Sequence, residues 1–190
     1  IAWGIDKAKN EDLFLKEKRI YELSQIENGM PKVQPYQIGF RLLTTLLQTY
    51  SGDIDAVIAS LKDVKEEQKE TLRRRCECAW YWIKESAPDC APDFCFTLRE
   101  DGSKAEDISG EMLTAVRRVR DEIVPRLDTF AVDKECQQAM YDIATELGLE
   151  SKALFTALYH ALIGKDQGPR LASFFRIIGK EKLQKILSVY

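Results

Sequence analysis

The sequence predicts an all-α domain, and three observations carry that expectation. Apolar residues recur at three- and four-residue steps through nearly every segment. Gly, Pro and Ser/Asp residues fall at the edges of those segments, where helices stop and start. No run keeps the two-residue alternation of a half-buried strand long enough to count, and no repeat shows the fixed spacing of helical arrays.

The elements follow in order. Leu15, Arg19, Tyr21, Leu23 and Ile26 mark a partly amphipathic helix over 12–27 that ends at Asn28-Gly29. Pro31 and Pro35 enclose a linker. From Tyr36 to Tyr50, the residues Phe40, Leu43, Leu46, Leu47 and Tyr50 fall on one helical face. Ser51-Gly52 ends that helix, and Asp53 caps a short one through Leu61. A long helix runs from Glu66 to Ala87 with Leu72, Cys76, Ala79, Trp80, Ile83 and Ala87 as its buried stripe, and Pro88 stops it. The segment 88–103 reads as irregular and as a subdomain boundary. Ser109 caps the next helix, with Met112, Leu113, Val116, Val119 and Ile123 inward until Pro125 interrupts. Asp133 caps another, with Cys136, Met140, Ile143, Ala144 and Leu147 inward and Gly148 at its end. Ser151–Ile163 is stopped by Gly164, and two short helices follow Pro169 and Gly179. The expected organisation is 1–30, 31–103 and 104–190.

Composition narrows the classes of function. Of the 190 residues, 45% are hydrophobic and 31% charged, a globular balance. No stretch approaches the roughly 20 apolar residues of a membrane helix. The chain starts at Ile1 and shows no signal peptide, so a fragment or processed product of a cytoplasmic protein is expected. Five cysteines, an odd count, fit reduced thiols better than a disulfide framework. The net charge is −3, but it is unevenly spread. Residues 151–190 hold seven basic side chains against two acids, net +5, which leaves −8 for residues 1–150. A basic end on an acidic body suits either a phosphate-facing surface or ordinary solvated helix faces.

Catalytic inventory is thin. The lone histidine, His160, lies in a helix beside Leu158, Tyr159 and Leu162, where packing or surface roles outnumber general bases. Gly164, Gly168 and Gly179 are spaced as helix punctuation, not as a phosphate loop. Cys76 and Cys78 would sit about 200° apart around a helix, so they diverge from a shared metal. Nucleic-acid binding has more support. Arg73-Arg74-Arg75 precedes Trp80, Tyr81 and Trp82; Arg117, Arg118 and Arg120 cluster; and the loop from Gly164 to Leu171 carries Lys165 and Arg170 into a helix opened by Pro169. Proline suits a first helical turn, whose unpaired N–H groups attract anions. An arginine there can grip a phosphate or stack on an unpaired base, and Leu171 can offer an apolar contact. The same loop also reads as a plain helix connector.

The stretch ALFTALYHALIGKDQGPRLASFFRIIGKEKLQKIL (153–187) resembles the closing segment of class I lysyl-tRNA synthetases. RIYELSQ (19–25), PYQIGFRLL (35–43) and APDFCFTL (91–98) are similar to that family in the same order. The resemblance implies an all-helical anticodon-binding cage for tRNA(Lys), following tRNA stem-contacting helices and a catalytic domain. It implies Gly168, Pro169, Arg170 and Leu171 as the residues matching the anticodon-contacting loop; Lys165, Arg170 and other basic residues of the last forty are expected to hold the RNA backbone. Arg170 stands where the related glutamyl loop has glycine, so its contact would be new. ATP and lysine would be handled by a catalytic domain that lies outside this sequence: the HIGH and KMSKS signatures are absent, and this stretch would need no cofactor. The alternative is a helical protein-interaction module without an RNA role, favoured by the acidic first 150 residues.

Overall fold

A computed structural model describes residues 10–23 and 33–190. Among the described residues the regular elements are helical and no strand occurs. Helix α1 spans Glu11–Leu23; the expected continuation through Ile26, the stop at Asn28-Gly29 and Pro31 lie outside the described residues. Leu15 and Leu23, expected on its apolar side, are exposed.

Helix α2 covers Phe40–Thr49, four residues shorter at its start than the periodicity suggests. The cause is a tertiary contact. Arg75 donates to the carbonyls of Tyr36 (2.7 Å) and Ile38 (3.0 Å), and the Tyr36 hydroxyl donates to the Lys62 carbonyl at 2.9 Å. Those contacts hold 36–38 extended, so helix propensity there is overridden. Leu43, Leu46 and Leu47 face inward as expected, whereas Phe40 is exposed. Phe40 instead packs at the rim with Trp82 (5.3 Å) and Phe94 (6.4 Å). Thr44, Thr45 and Thr49 satisfy their buried hydroxyls by donating to carbonyls one turn back.

Helix α3 (Ile54–Ser60) has the expected cap, the Asp53 carboxylate accepting the Ala56 N–H. Helix α4 (Glu66–Glu85) buries Leu72, Cys76, Ala79 and Ile83, while Trp80 is only half-buried. Pro88 does not stop it. The chain turns at Ser86 and begins a one-turn helix α5 (Ala87–Cys90), with Pro88 in its first turn, where no N–H is needed. A 3-10 turn at Pro92–Phe94 follows.

The expected break at Pro125 is a change of helix type instead. Helix α6 (Gly110–Arg118) runs into a π turn (Val119–Ile123), in which the Val124 N–H reaches the Val119 carbonyl, and then into a 3-10 segment (Val124–Thr129). Proline cannot donate within an α ladder, and the widened turn absorbs the missing bond. Helix α7 (Asp133–Glu146) starts at Asp133 rather than after it. The Asp133 carboxylate is engaged by Arg176 (2.7 Å) and Ser173 (2.5 Å), so the helix begins after Val132 without a side-chain cap, and Glu135 accepts the Ala131 N–H just ahead of it at 2.7 Å. Helices α8 (Ser151–Ile163), α9 (Leu171–Ile178) and α10 (Lys180–Leu187) close the chain.

Among the described residues two apolar cores result. Leu43, Leu47, Val57, Leu72, Cys76 and Ile83 build the first; residues from Leu98 to Tyr190, centred on Leu154, Leu158, Phe174 and Phe175, build the second. Each fully buried Phe or Leu contributes roughly 1.5–3 kcal/mol. The cores meet along α2 and α9. Gln48, 4% exposed, accepts the Phe96 N–H at 2.7 Å, and Ile177 of α9 packs on the first core. Lys182 of α10 donates to the Thr49 carbonyl and pairs with Glu100. This seam positions the site.

Candidate nucleic-acid interface

Helix α8 ends where Gly164 takes a left-handed conformation (φ +66), and its N–H closes the turn on the Tyr159 and His160 carbonyls. The loop that follows is fastened at several points. Lys165 Nζ donates to the Pro92 carbonyl at 2.7 Å, crossing to the 3-10 turn. Asp166 accepts from His160 Nε2 at 2.7 Å. The Tyr159 hydroxyl donates to the Pro169 carbonyl at 2.7 Å. Gly168 lies directly against the same tyrosine: a Cβ there would come within 2.8 Å of Ile163 Cδ1 and 3.1 Å of Tyr159 Cε1. Burial raises the Tyr159 pKa, which keeps its hydroxyl a donor.

Between this loop and α2 runs a cleft of about 600 Å³, within the size range of small-ligand sites. Arg41 and Gln48 line it from α2, Phe94 and Phe96 from the connecting segment, Gln167 to Arg170 from the loop, and Phe174 from α9. Phe96 meets Phe174 edge-on at 5.2 Å, which fixes its ring. Arg41 and Arg170 are both exposed, and neither guanidinium has an ion-pair or hydrogen-bond partner among the described residues. Among the described residues, Asp93 is the single acid on the lining. Planar apolar surfaces, side-chain amides and two unengaged guanidinium groups suit a flat, polar-edged ligand attached to phosphate.

The sequence-selected residues separate here. Gly168, Pro169 and Arg170 meet at the cleft. Leu171 does not offer itself to a ligand; it is 5% exposed and belongs to the second core, because the first turn of α9 points inward. Lys165 is half-buried and bound to a carbonyl, so it works first as a loop anchor. Pro169 precedes the helix instead of opening it: Arg170 is the N-cap and Leu171 the first helical residue.

The arginine clusters are mostly engaged. Arg75 clamps 36–38, Arg73 pairs with Asp55, Arg117 donates to the Tyr190 carbonyl at 2.5 Å, Arg118 bridges Glu122 and Glu146, and Arg120 pairs with Asp121. Arg176 is held by Asp133 and the Phe130 carbonyl. Sequence reasoning passed over Arg41, Gln48, Phe94, Phe96 and Gln167. A usable signal was Gln48, a polar residue inside the apolar run of α2.

Cys76 is buried and Cys78 exposed, so their thiols diverge as the spacing implied. Among the described residues no three His, Cys, Asp or Glu side chains gather as a metal-ligand set. None of the described helices is long and apolar enough to cross a membrane.

Fold and cleft together define a helical recognition module. Residues 93–188, half of the chain, match the family model described as an anticodon binding domain, and the chain belongs to that family. The match takes in Phe94, Phe96, the loop and the second core, and leaves out the α2 wall. Among its relatives is a lysine–tRNA ligase of Treponema pallidum, 49% identical over the whole chain. Lysine–tRNA ligases of Borreliella burgdorferi and Thermococcus kodakarensis are each 34% identical, over 100% and 98% of the chain. In all three the chain accounts for 35% of the relative, so it spans about a third of their length.

Proposed function

We propose that the cleft between α2 and the 164–170 loop receives unpaired anticodon bases of tRNA(Lys), as the anticodon-reading part of a class I lysine–tRNA ligase. The observation that carries this reading is the pair of unengaged guanidinium groups, Arg41 and Arg170, at a cleft lined by Phe94 and Phe96. Bases drawn out of the anticodon loop stack on the phenylalanine rings, a contact worth about 1–3 kcal/mol per base. Gln167 presents an amide to their edges. Arg170 and Arg41 hold the backbone or stack on a base, while Gly168 and Pro169 keep the loop low enough for the strand to pass. Lys165 sets the loop and adds positive charge.

In the whole protein, a catalytic domain outside this sequence activates lysine with ATP, and the present chain works by recognition without a cofactor, in the cytoplasm. Binding of the chain to tRNA(Lys) and to the same tRNA with a substituted anticodon tests the reading. Tighter binding of the unaltered tRNA supports it. Equal affinity for both, or none for either, removes it and leaves a helical protein-interaction module.

A further inference from the structure

The only histidine of the chain stands between two carboxylates. His160 Nδ1 meets Asp107, on the segment ahead of α6, and His160 Nε2 meets Asp166 of the loop at 2.7 Å. A neutral imidazole carries one N–H and one lone pair, so it can bond only one of two carboxylates and must repel the other. Both contacts are satisfied together only by the imidazolium. We propose that His160, as the imidazolium, is the positioning residue of the 164–170 loop: it tethers Asp166 and so holds the loop against the cleft in the form that accepts RNA.

The loop's role in RNA binding rests on the function proposed above; the tether rests on the geometry. Asp166 is the more exposed partner, its side chain 87% accessible against 54% for Asp107, so Asp166 is released when the ring loses a proton. Two consequences follow for the loop. Residue 166 adjoins Gln167 and lies between the anchored Lys165 and Gly168, so the loop loosens there. The triad also changes from one net negative charge to two, one residue away from Gln167 on the cleft lining. Among the described residues, the charged groups acting on the ring are Asp166 and Asp107, with Arg99 acting on Asp107 from beyond. Partial burial opposes the charged ring, but the hydrogen bonds to Asp166 and Asp107 outweigh it and raise the histidine's pKa. The Asp107 carboxyl is held low, chiefly by its hydrogen bond with His160. Because the histidine's pKa is raised, the tether is complete below the ordinary value of about 6.5 and is lost as pH climbs through the higher, folded-state value.

With one histidine in the chain, any imidazole titration belongs to His160. The test follows ring 13C NMR of the free chain from about pH 5 to about pH 9, with carbon-detected backbone order parameters of residues 165–168 as the measure of loop order. The tether predicts a ring pKa above the ordinary value and loop order parameters that fall from about 0.85 towards about 0.6 across the same pH step. In His160→Gln the loop order parameters are low throughout. In Asp166→Asn the step disappears, because an amide can donate to the neutral ring and accept from the charged one. A ring pKa at or below the ordinary value, or loop order without a step in the parent chain, overturns the proposal. Affinity for tRNA(Lys) should fall about fivefold over that step, the scale of one screened unit charge. If ring and loop titrate together but no tRNA binds at any pH, the RNA reading fails and the tether stands. If tRNA binds with no such step in ring or loop, the tether fails and the RNA reading stands.

Discussion

Arg170→Ala separates a binding role from a structural one because of how little the side chain does within the fold. Arg170 is exposed, and its guanidinium has no partner among the described residues. What the position gives α9 comes from the backbone: an extended N-cap (φ −53, ψ 120) whose carbonyl accepts the Phe174 N–H at 2.8 Å. Alanine keeps both features, so stability should change by no more than about 0.5 kcal/mol. Loss of a base- or phosphate-gripping guanidinium should cost about 1–3 kcal/mol of binding. At about 1.4 kcal/mol per tenfold, that is roughly 5- to 150-fold in Kd. Fluorescence anisotropy with labelled tRNA(Lys) at two salt concentrations, alongside circular dichroism, measures both quantities. A phosphate contact weakens every tRNA alike and lowers the salt slope; a base contact narrows the gap between cognate and altered anticodons. Arg176→Ala is the comparison: its partners are Asp133 and the Phe130 carbonyl, so it should act on stability more than on RNA. A folded Arg170→Ala chain that binds tRNA(Lys) like the parent refutes the site assignment.

Gly168→Ala should destabilise the chain by about 1–3 kcal/mol, since the new methyl overlaps Ile163 and Tyr159 and the loop must rise; thermal denaturation with RNA binding checks it, and a neutral effect on both contradicts the packing. Leu171→Ala should cost about 2–5 kcal/mol in urea denaturation, as a core truncation does, whereas a contact residue would lose affinity and keep its stability. Alkylation in the native chain should mark the exposed Cys78 and Cys90 first. Burial pushes the Cys136 thiol up to about 11, and it also raises that of Cys76, so both should react only after unfolding; rapid native labelling of Cys136 would contradict the second core as described.

Helix content and most helix ends were legible because they are local. Gly164 and Gly179 stop their helices where expected, and Asp53 caps α3 through its own side chain. The misplaced features have long-range causes. Residues 36–38 stay extended because Arg75, nearly forty positions away, takes their carbonyls. Asp133 leaves its capping role for Ser173 and Arg176, forty residues on. The lining of the candidate cleft was legible in part for the same reason. A Gly-Pro-Arg loop between two helices is a local signal, whereas its opposite wall, Arg41 and Gln48, lies more than a hundred residues upstream and joins it only through the seam of α2 and α9. The arginine runs misled because charge spacing along a helix does not show which carboxylates fold against it. Leu171 misled because adjacency in a loop does not fix which way the first helical turn faces.

Entry of anticodon bases into the cleft between α2 and the 164–170 loop can be mapped by photo-crosslinking, with 4-thiouridine placed at single anticodon positions of tRNA(Lys) and adducts located by mass spectrometry. Adducts should form at Phe94, Phe96, Gln167 or Arg170, lost when the anticodon of unlabelled competitor matches and retained when it does not. Adducts confined to other surfaces, or competed equally by any tRNA, would rule out this cleft as the anticodon site.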